Sequence, residues 1–198
     1  TANFAIDSKS LTNSSGAGGN VTTPGEGSPV GTYDCGTVVN LVATPDTCYD
    51  FVNWSGSGVT AGKVGNPNTA STTITMDGNY SVTANFAIDS KTLTTTSGAG
   101  GNVTTPGEGS PVGTYDCGTV VNLVATNDSC YHFVNWSGSG VTAGKVGNPN
   151  AASTNITMDG DYSVTANFAI DSKTLTTSSS SGGNVTTPGE GSPYGTYD

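Results

Sequence analysis

The stretch Gly118-Thr-Val-Val-Asn-Leu-Val-Ala-Thr126 is the longest run of β-favouring residues in the chain, and residues 36–44 repeat it letter for letter. Its valines and threonines favour extended backbone, and its length predicts a strand at the centre of a sheet. The spacing of 82 residues between these two runs holds along the whole chain. The repeat is therefore the first feature that any interpretation of this sequence has to explain.

Residues 1–82 and 83–164 differ at only nine positions, which in the first copy are Ser10, Asn13, Ser14, Pro45, Thr47, Asp50, Thr69, Thr73 and Asn79. A period of 82 is too long for a solenoid unit and suits a small domain. We expect residues 1–8 to be the final strand of a preceding repeat, residues 9–90 and 91–172 to be two repeats, and residues 173–198 to start a third. Both ends fall inside the repeat pattern, so we expect a segment cut from a longer array.

The chain carries 15 acidic residues against five lysines and no arginine, for a formal net charge of −10. Nucleic-acid binding needs a basic surface, so this balance excludes it. Only 10% of the residues are charged and 29 are glycine, which favours short strands and tight turns over disorder. The sequence predicts no cofactor, and no membrane insertion of this segment, because it lacks an apolar run of sufficient length.

Strand signals dominate each copy, and helix signals are missing. In the second copy the predicted strands are residues 91–95, 102–105, 118–126, 131–136, 153–158 and 162–168, with loops at residues 106–111 and 137–150. Asp159-Gly160 predicts a type I′ hairpin between the last two. Candidate core residues are Leu93, Val120, Leu123, Phe133, Trp136, Ile156, Val164 and Phe168. The fold class is thus all-β, a tandem array of small modules of about six strands arranged end to end without linkers, with a β-grasp-like module as the alternative.

Three blocks of the second copy occur in a recognisable order: residues 113–126, Tyr131-His-Phe-Val-Asn-Trp-Ser-Gly138, and Ile156-Thr-Met-Asp-Gly-Asp-Tyr-Ser-Val-Thr-Ala-Asn-Phe168. They resemble the divergent internalin-B-type B-repeat family of microbial surface proteins. The resemblance implies a small β-rich module repeated in tandem on secreted or surface-anchored proteins, and it brings no catalytic residues. The near-identity of the copies, and cysteines where the family has small or turn residues, depart from it and indicate a covalently reinforced polymer.

One pair of cysteines occurs in each copy, Cys35 with Cys48 and Cys117 with Cys130. Their even number and regular spacing predict disulfides and an oxidising, extracellular setting. A zinc site would need about four ligands, and the chain has one histidine, His132. An extended run between the two cysteines of a copy would hold them about 25 Å apart, whereas a disulfide needs Cα atoms within about 7 Å. Bonds between copies, Cys48–Cys117 or Cys35–Cys130, are therefore favoured over Cys35–Cys48 and Cys117–Cys130, which stay open.

Candidate N-glycosylation sites have the pattern Asn-x-Ser/Thr, and they are Asn13, Asn20, Asn79, Asn102, Asn127, Asn155 and Asn184. Asn53 and Asn135 match it too but lie beside aromatic residues that we expect in the core. A Thr-rich β surface explains the pattern equally well.

Other chemistry has simpler explanations. Asp77 and Asp159 could suggest calcium, but a turn explains them without the further oxygen ligands that calcium needs. Tyr49, Phe51 and Trp54 could stack on a sugar, but such a cluster is more often core. Glu108 and Lys145 could serve a Lys–Asn isopeptide bond, for which nothing else in the sequence speaks.

No nucleophile, acid–base pair or metal cluster recurs in both copies, so we expect no enzyme. We expect instead a structural extracellular protein, a cell-surface filament or stalk reinforced by disulfides. Its partners would be neighbouring repeats or other copies of itself. The alternatives are an adhesin stalk, or a multivalent carbohydrate-binding array that meets glycans or cell surfaces with high avidity.

Overall fold

The computed structural model describes residues 5–187 and 191–197, and within them the fold is all-β apart from two single-turn helices. The chain divides into two compact units between Ser90 and Lys91. The first unit contains β1 (Ser8–Ser15), β2 (Gly19–Thr23), β3 (Gly27–Asp34), β4 (Thr37–Pro45), β5 (Tyr49–Ser55), α1 (Ser57–Thr60), β6 (Ser71–Met76) and β7 (Tyr80–Ile88). The prediction of tandem all-β modules is confirmed, and the described residues of this unit form seven strands rather than about six.

The second unit repeats this series. It contains β8 (Ser90–Ser97, whose first residue belongs to the first unit), β9 (Gly101–Thr105), β10 (Gly109–Asp116), β11 (Thr119–Asn127), β12 (Tyr131–Ser137), α2 (Ser139–Thr142), β13 (Ser153–Met158) and β14 (Tyr162–Ile170). A two-stranded ribbon of β15 (Lys173–Thr177) and β16 (Gly191–Tyr197) comes next.

Each module consists of two small sheets with the core between them. In the first module the strand orders are β3-β1-β7-β5 and β2-β4-β6, and in the second they are β10-β8-β14-β12 and β9-β11-β13. The predicted run 118–126 is thus the central strand β11, as expected. The two cores contain equivalent side chains, represented in the first module by Leu11, Leu41, Trp54, Ile74 and Met76, all buried.

The first and last strands of each module are parallel neighbours. Strand β1 pairs with β7 from Leu11↔Tyr80 to Ser15↔Ala84, and β8 pairs with β14 from Leu93↔Tyr162 to Ser97↔Ala166. The Gly16 N–H extends the first ladder by donating to the Ala84 carbonyl oxygen at 2.8 Å. Parallel pairing of strands so far apart in sequence requires the rest of the module as the crossover connection.

The predicted hairpin at Asp159-Gly160 is wrong. Strand β13 belongs to the sheet of β11, whereas β14 belongs to the sheet of β8, so this turn carries the chain from one sheet to the other. A type I′ turn needs positive φ at both central residues, and Gly160 is not among the positive-φ glycines. The Asp159 carboxylate instead accepts hydrogen bonds from Lys145 and Tyr162, which fixes a wider turn.

Two other expectations fail for local reasons. The loop predicted at residues 106–111 overlaps β10, which contains Pro111 and runs along the edge of its sheet, where a residue without an N–H is tolerated. Val120 is 59% exposed rather than core, because successive side chains of β11 alternate and Val121 points inward. The long loop 137–150 contains the single helical turn α2.

Candidate cysteine site at the ends of each module

The two cysteines of a module lie in turns at opposite ends of its central strand. Cys35 is in the turn between β3 and β4, and Cys48 is in the turn between β4 and β5. Nine strand residues at about 3.3 Å each separate the turns by roughly 30 Å. A disulfide between Cys35 and Cys48 would therefore require the central strand to unfold.

The Cys48 turn has an unusual backbone in both modules. Cys48 and Cys130 have φ values of 70° and 66°, in the left-handed region, and are the only residues other than glycine with positive φ among those described. A side chain there costs about 1–2 kcal/mol relative to ordinary backbone. Glycine would avoid this cost. Cysteine at this position therefore destabilises the folded module relative to glycine, unless its sulfur has a role that offsets the cost.

Backbone hydrogen bonds place these turns beside the ends of the modules. The Cys35 N–H donates to the Asp7 carbonyl oxygen at 2.9 Å, just before β1 starts. The Cys48 carbonyl oxygen accepts from the Asp89 N–H at 2.8 Å, just after β7 ends, and that of Cys130 accepts from the Asp171 N–H at 2.7 Å. The first cysteine of a module thus lies where the chain begins that module, and the second lies where the chain leaves it.

The four cysteines differ in redox state. Cys48 and Cys117 are disulfide-bonded and half-buried, whereas Cys35 and Cys130 are free thiols and exposed. Neither within-module pair, Cys35–Cys48 or Cys117–Cys130, is therefore formed. Of the two bonds between copies that the sequence favours, Cys35–Cys130 is not formed, and Cys48–Cys117 stays a prediction.

The one histidine lies close to the free Cys130. His132 Nδ1 is 2.8 Å from Asp171 Oδ1, and Lys173 Nζ is 3.7 Å from the other oxygen of Asp171. The first module has Asp50 in place of His132. Among the described residues, His, Cys, Asp and Glu side chains nowhere gather in groups of three that could hold a metal.

One ion-pair cluster recurs in each module near the turn after β6. Lys63 Nζ lies 2.5 Å from Asp77 Oδ2, and the Tyr80 hydroxyl donates to Asp77 Oδ1 at 2.6 Å. The Lys63 ammonium, and then the Tyr80 hydroxyl, lower the pKa of Asp77, while the same carboxylate raises the pKa of Lys63. Both groups are therefore held in their charged forms, whereas isopeptide formation needs a neutral amine.

The suggested isopeptide partners are engaged elsewhere. Lys145 pairs with Asp159, while Glu108 accepts the Val103 N–H at 2.9 Å. A hydrogen bond from Ser97, followed by the one from Val103, lowers the pKa of Glu108. The proposed Lys–Asn bond therefore has no support in the geometry.

Six of the candidate glycosylation sites are exposed, namely Asn20, Asn79, Asn102, Asn127, Asn155 and Asn184. Asn13 is the exception, since it is 3% exposed and its Nδ2 donates to the Gly25 carbonyl oxygen at 2.9 Å. A glycan on this nitrogen cannot fit in the folded module, so the prediction for Asn13 is wrong. Asn53 and Asn135 are half-buried and accept hydrogen bonds from Asn85 and Asn167.

The aromatic cluster belongs to the core, as expected. Trp54 is 2% exposed, its Nε1–H donates to the Thr69 carbonyl oxygen at 2.9 Å, and Phe51 packs against it with ring centroids 5.7 Å apart. These rings are occupied in packing and do not form a flat face for a sugar.

The fold and the cysteine turns define a tandem β-module protein whose modules are linked without spacers. The model of the divergent InlB B-repeat domain matches residues 9–90 and 91–172, and the chain belongs to this family. No curated protein and no solved structure matches the chain significantly. Within the described residues, no helix combines the length and the apolar character needed to cross a membrane.

Proposed function

We propose that this chain is a segment of an extracellular filament or stalk on a cell surface, that it transmits tension from module to module, and that it is not an enzyme. The observation that carries this proposal is the parallel pairing of the first and last strands within each module. Tension enters a module through the start of β1 and leaves through the end of β7. Because these strands are parallel neighbours, the two pulls slide one strand along the other.

Sliding loads the whole ladder at once. The hydrogen bonds between Leu11↔Tyr80 and Ser15↔Ala84 run across the direction of pull, so all of them share the force. A hairpin pulled apart from its open end would instead lose its bonds one at a time. The side chains add to the ladder, since the Ser14 and Thr83 hydroxyl oxygens are 2.8 Å apart and Leu11 is fully buried.

A disulfide between Cys48 and Cys117 would reinforce the step from one module to the next. Cys117 stands in the second module where Cys35 stands in the first, and Asp89 stands where Asp7 stands. The Cys48 carbonyl oxygen accepts from the Asp89 N–H at 2.8 Å, at the end of the first module. Cys48 and Cys117 are both disulfide-bonded, which supports a bond of this kind.

The proposed location rests on the chemistry of the chain. Disulfides persist in oxidising compartments, and Cys48 and Cys117 are oxidised. Exposed strand edges carry many Thr, Ser and Asn residues and few charges, which suits a surface polymer. The adhesin and carbohydrate-array alternatives stay predictions, because no geometry of the described residues favours a sugar site.

Single-molecule stretching of the intact chain tests the load-bearing role. We expect two discrete unfolding events at high force. Ser14→Pro, which removes a backbone donor from the part of β1 that faces β7, should lower the first peak. Thr32→Pro, in the edge strand β3 outside the line of pull, is the matched control and should lower it less. Unfolding at forces too low to resolve, or equal effects of both prolines, would overturn the proposal.

Labelling of intact cells with an antibody against the repeat tests the proposed location. The antibody should decorate filaments on the cell surface.

A further inference from the structure

Two Asp-Gly pairs occur in the chain, Asp77-Gly78 and Asp159-Gly160, and no other aspartate or asparagine precedes a glycine. Each pair lies in the turn that carries the chain from one sheet of its module to the other. An aspartate before glycine is chemically vulnerable, because glycine has no Cβ to shield its amide nitrogen from the neighbouring carboxyl group. The two turns are therefore candidate sites of a spontaneous change in the backbone.

The change would be the isomerisation of aspartate to isoaspartate. The Gly78 nitrogen attacks the carboxyl carbon of Asp77, a new C–N bond closes a five-membered succinimide ring, and the amide proton and the carboxyl hydroxyl group leave as water. A second water molecule then opens the ring at one of its two carbonyl groups. Opening at one carbonyl restores aspartate, whereas opening at the other gives isoaspartate, in which the main chain runs through the side-chain methylene group.

Both carboxylate oxygens of Asp77 are held by other groups. Lys63 Nζ lies 2.5 Å from Oδ2, and the Tyr80 hydroxyl donates to Oδ1 at 2.6 Å. One of the two oxygens leaves as water when the ring closes, so the ring cannot close until at least one of these bonds breaks. The leaving oxygen must also be protonated first, which the Lys63 ammonium and the Tyr80 hydroxyl oppose by lowering the pKa of Asp77.

The backbone around this carboxylate is fixed on both sides. The Lys63 N–H donates to the Gly58 carbonyl oxygen at 3.0 Å, and the Lys63 carbonyl oxygen accepts from the Thr75 N–H at 3.1 Å. Beyond the glycine, Asn79 Oδ1 accepts the Ser10 N–H at 2.8 Å. The lysine is thus tied to β6 and the turn is tied to β1, and both attachments restrict the movement that ring closure needs.

The tyrosine of the cluster requires glycine at the vulnerable position. A Cβ at Gly78 would lie 2.9 Å from both Cζ and Oη of Tyr80, and a Cβ at Gly160 would lie 2.9 Å from Oη of Tyr162. A larger residue would therefore displace the tyrosine hydroxyl from the aspartate. The glycine that makes the pair vulnerable is also the residue that lets the tyrosine reach the carboxylate.

The second module repeats this arrangement. The carboxylate of Asp159 accepts hydrogen bonds from Lys145 and, at 2.7 Å, from Tyr162, and these two groups lower its pKa. Asp161, which follows the glycine, accepts the Thr92 N–H at 2.7 Å. This position holds asparagine in the first module, yet its side-chain oxygen accepts the equivalent hydrogen bond in both.

We propose that Asp77-Gly78 and Asp159-Gly160 are latent isoaspartate sites, and that the lysine and the tyrosine beside each aspartate keep it unmodified in the folded module. This role goes beyond the proposed function and does not depend on it, because it concerns the chemical lifetime of each module rather than the force on it. Loss of either partner exposes the pair to ring closure.

The test compares the two modules within one molecule. Lys63→Met leaves the second module unchanged, so Asp159 is the internal control for Asp77. Wild-type and variant chains are incubated for several weeks at neutral pH and body temperature, and are then denatured and digested. Chymotrypsin cuts after aromatic residues, which places Asp77 in peptide 55–80 and Asp159 in peptide 137–162. Tandem mass spectrometry then locates and quantifies isoaspartate in each peptide.

We expect both wild-type sites to form isoaspartate about tenfold more slowly than a free peptide of residues 72–84, since a hydrogen bond to a charged group must break first. Lys63→Met should raise the rate at Asp77 by about the same factor and leave the rate at Asp159 unchanged. Tyr80→Phe removes only the hydroxyl, and it should raise the rate at Asp77 by less.

Val21→Ala is the matched control for a general loss of stability. Val21 is buried in β2, at the edge of its sheet opposite to β6, so this change weakens the core of the first module and leaves the cluster in place. It should not raise the rate at Asp77.

Three outcomes would overturn the proposal. The first is a wild-type rate at Asp77 equal to that of the free peptide, and the second is an unchanged rate at Asp77 in the Lys63→Met chain. The third is a rise in the Val21→Ala chain as large as that in the Lys63→Met chain, since the stability of the module rather than the cluster would then set the rate.

Discussion

The Asp89 N–H donates to the Cys48 carbonyl oxygen at 2.8 Å, so the single residue between β7 and β8 is held by the turn that carries a disulfide-bonded cysteine. The equivalent contact between Asp171 and Cys130 is 2.7 Å long. The cysteine turn and the end of the module are therefore held together, and substitutions in one should change the stability of the other.

Reduction should lengthen the stretched chain by a defined amount. A Cys48–Cys117 bond closes a loop of residues 49–116, about 68 residues, which at about 3.6 Å each hides roughly 240 Å of contour length. We expect the fully unfolded chain to gain this length in reducing buffer, and a Cys48→Ser/Cys117→Ser chain to show it without reductant. Equal contour lengths in both buffers would mean that these two cysteines are not bonded to each other.

Replacing Asn13 in β1 with threonine should stabilise the first module, and replacing Thr95 in β8 with asparagine should destabilise the second. Asn13 is buried with its Oδ1 unpaired, whereas the equivalent Thr95 donates its hydroxyl to the Gly107 carbonyl oxygen. An unpaired buried acceptor costs about 1–3 kcal/mol, so Asn13→Thr should stabilise the first module by about 1 kcal/mol. Native-state hydrogen exchange at Leu11 measures this. Thr95→Asn is the reciprocal control and should increase exchange at Leu93.

Glycine should be the most stable residue at position 130. Cys130 has a φ of 66°, which glycine adopts without steric cost, so Cys130→Gly should be more stable than Cys130→Ser by about 1 kcal/mol. Thermal unfolding of both variants in reducing buffer measures the difference. If serine proves equally stable, the turn relaxes in solution and the backbone cost assigned to this position is wrong.

Two glycines of the first module should respond differently to alanine. A Cβ at Gly18 would lie 2.1 Å from Tyr49 Cδ1, whereas at Gly25 nothing lies within 4 Å, and both have positive φ. Gly25→Ala therefore carries only the backbone cost of about 1–2 kcal/mol. Gly18→Ala adds a clash with a packed ring and should cost several kcal/mol more in chemical denaturation. Similar losses for both would show that the Tyr49 ring can move aside.

Acid should weaken the modules partly through Asp77 and Asp159. Their pKa values are lowered by Lys63 with Tyr80 and by Lys145 with Tyr162, so the unfolded chain binds protons first as the pH falls below about 4. This contribution is present above the ordinary pKa of aspartate and is lost as the pH falls through the lowered value. The lysine pKa values are raised, so their contribution persists until the pH rises through those higher values.

An Asp77→Asn/Asp159→Asn chain should therefore lose less stability than the wild type between pH 5 and 2, as followed by urea unfolding. Tyr80→Phe keeps the lysine and removes one donor, and it should fall between the two. Identical acid profiles for all three chains would show that the cluster does not contribute.

Features that arise from the repeat and from strong local patterns are predictable from the sequence. The all-β class and the central strand β11 are both evident in residues 118–126, whose β-branched side chains leave little choice of backbone. The sheet to which a strand belongs is not predictable from local sequence. Asp159-Gly160 has the composition of a hairpin, but tertiary packing puts β13 and β14 in separate sheets. Pairing between β1 and β7 joins residues 69 apart, and no local signal marks it.

The cysteines show the same limit at the site. Their spacing across a predicted strand is enough to doubt a bond within one module, because strand length is local information. The left-handed backbone of Cys48 and Cys130 is not foreseeable, since no glycine or asparagine marks that position. The burial of Asn13 is not foreseeable either. Its counterpart in the second module is Thr95, and no local signal shows that an asparagine at this position points into the core.

The pairing of β1 with β7 also means that each module contains a strand that could compete for pairing with the first strand of the other module. Residues 80–88 and 162–170 are identical, so the sequence of β14 could pair with β1 as well as that of β7 does. Loop-closure entropy separates the two choices by less than about 1 kcal/mol, because doubling a loop adds only about 0.6 kcal/mol. Correct assembly of such an array must then depend on order of synthesis, with each module complete before an identical competitor leaves the ribosome.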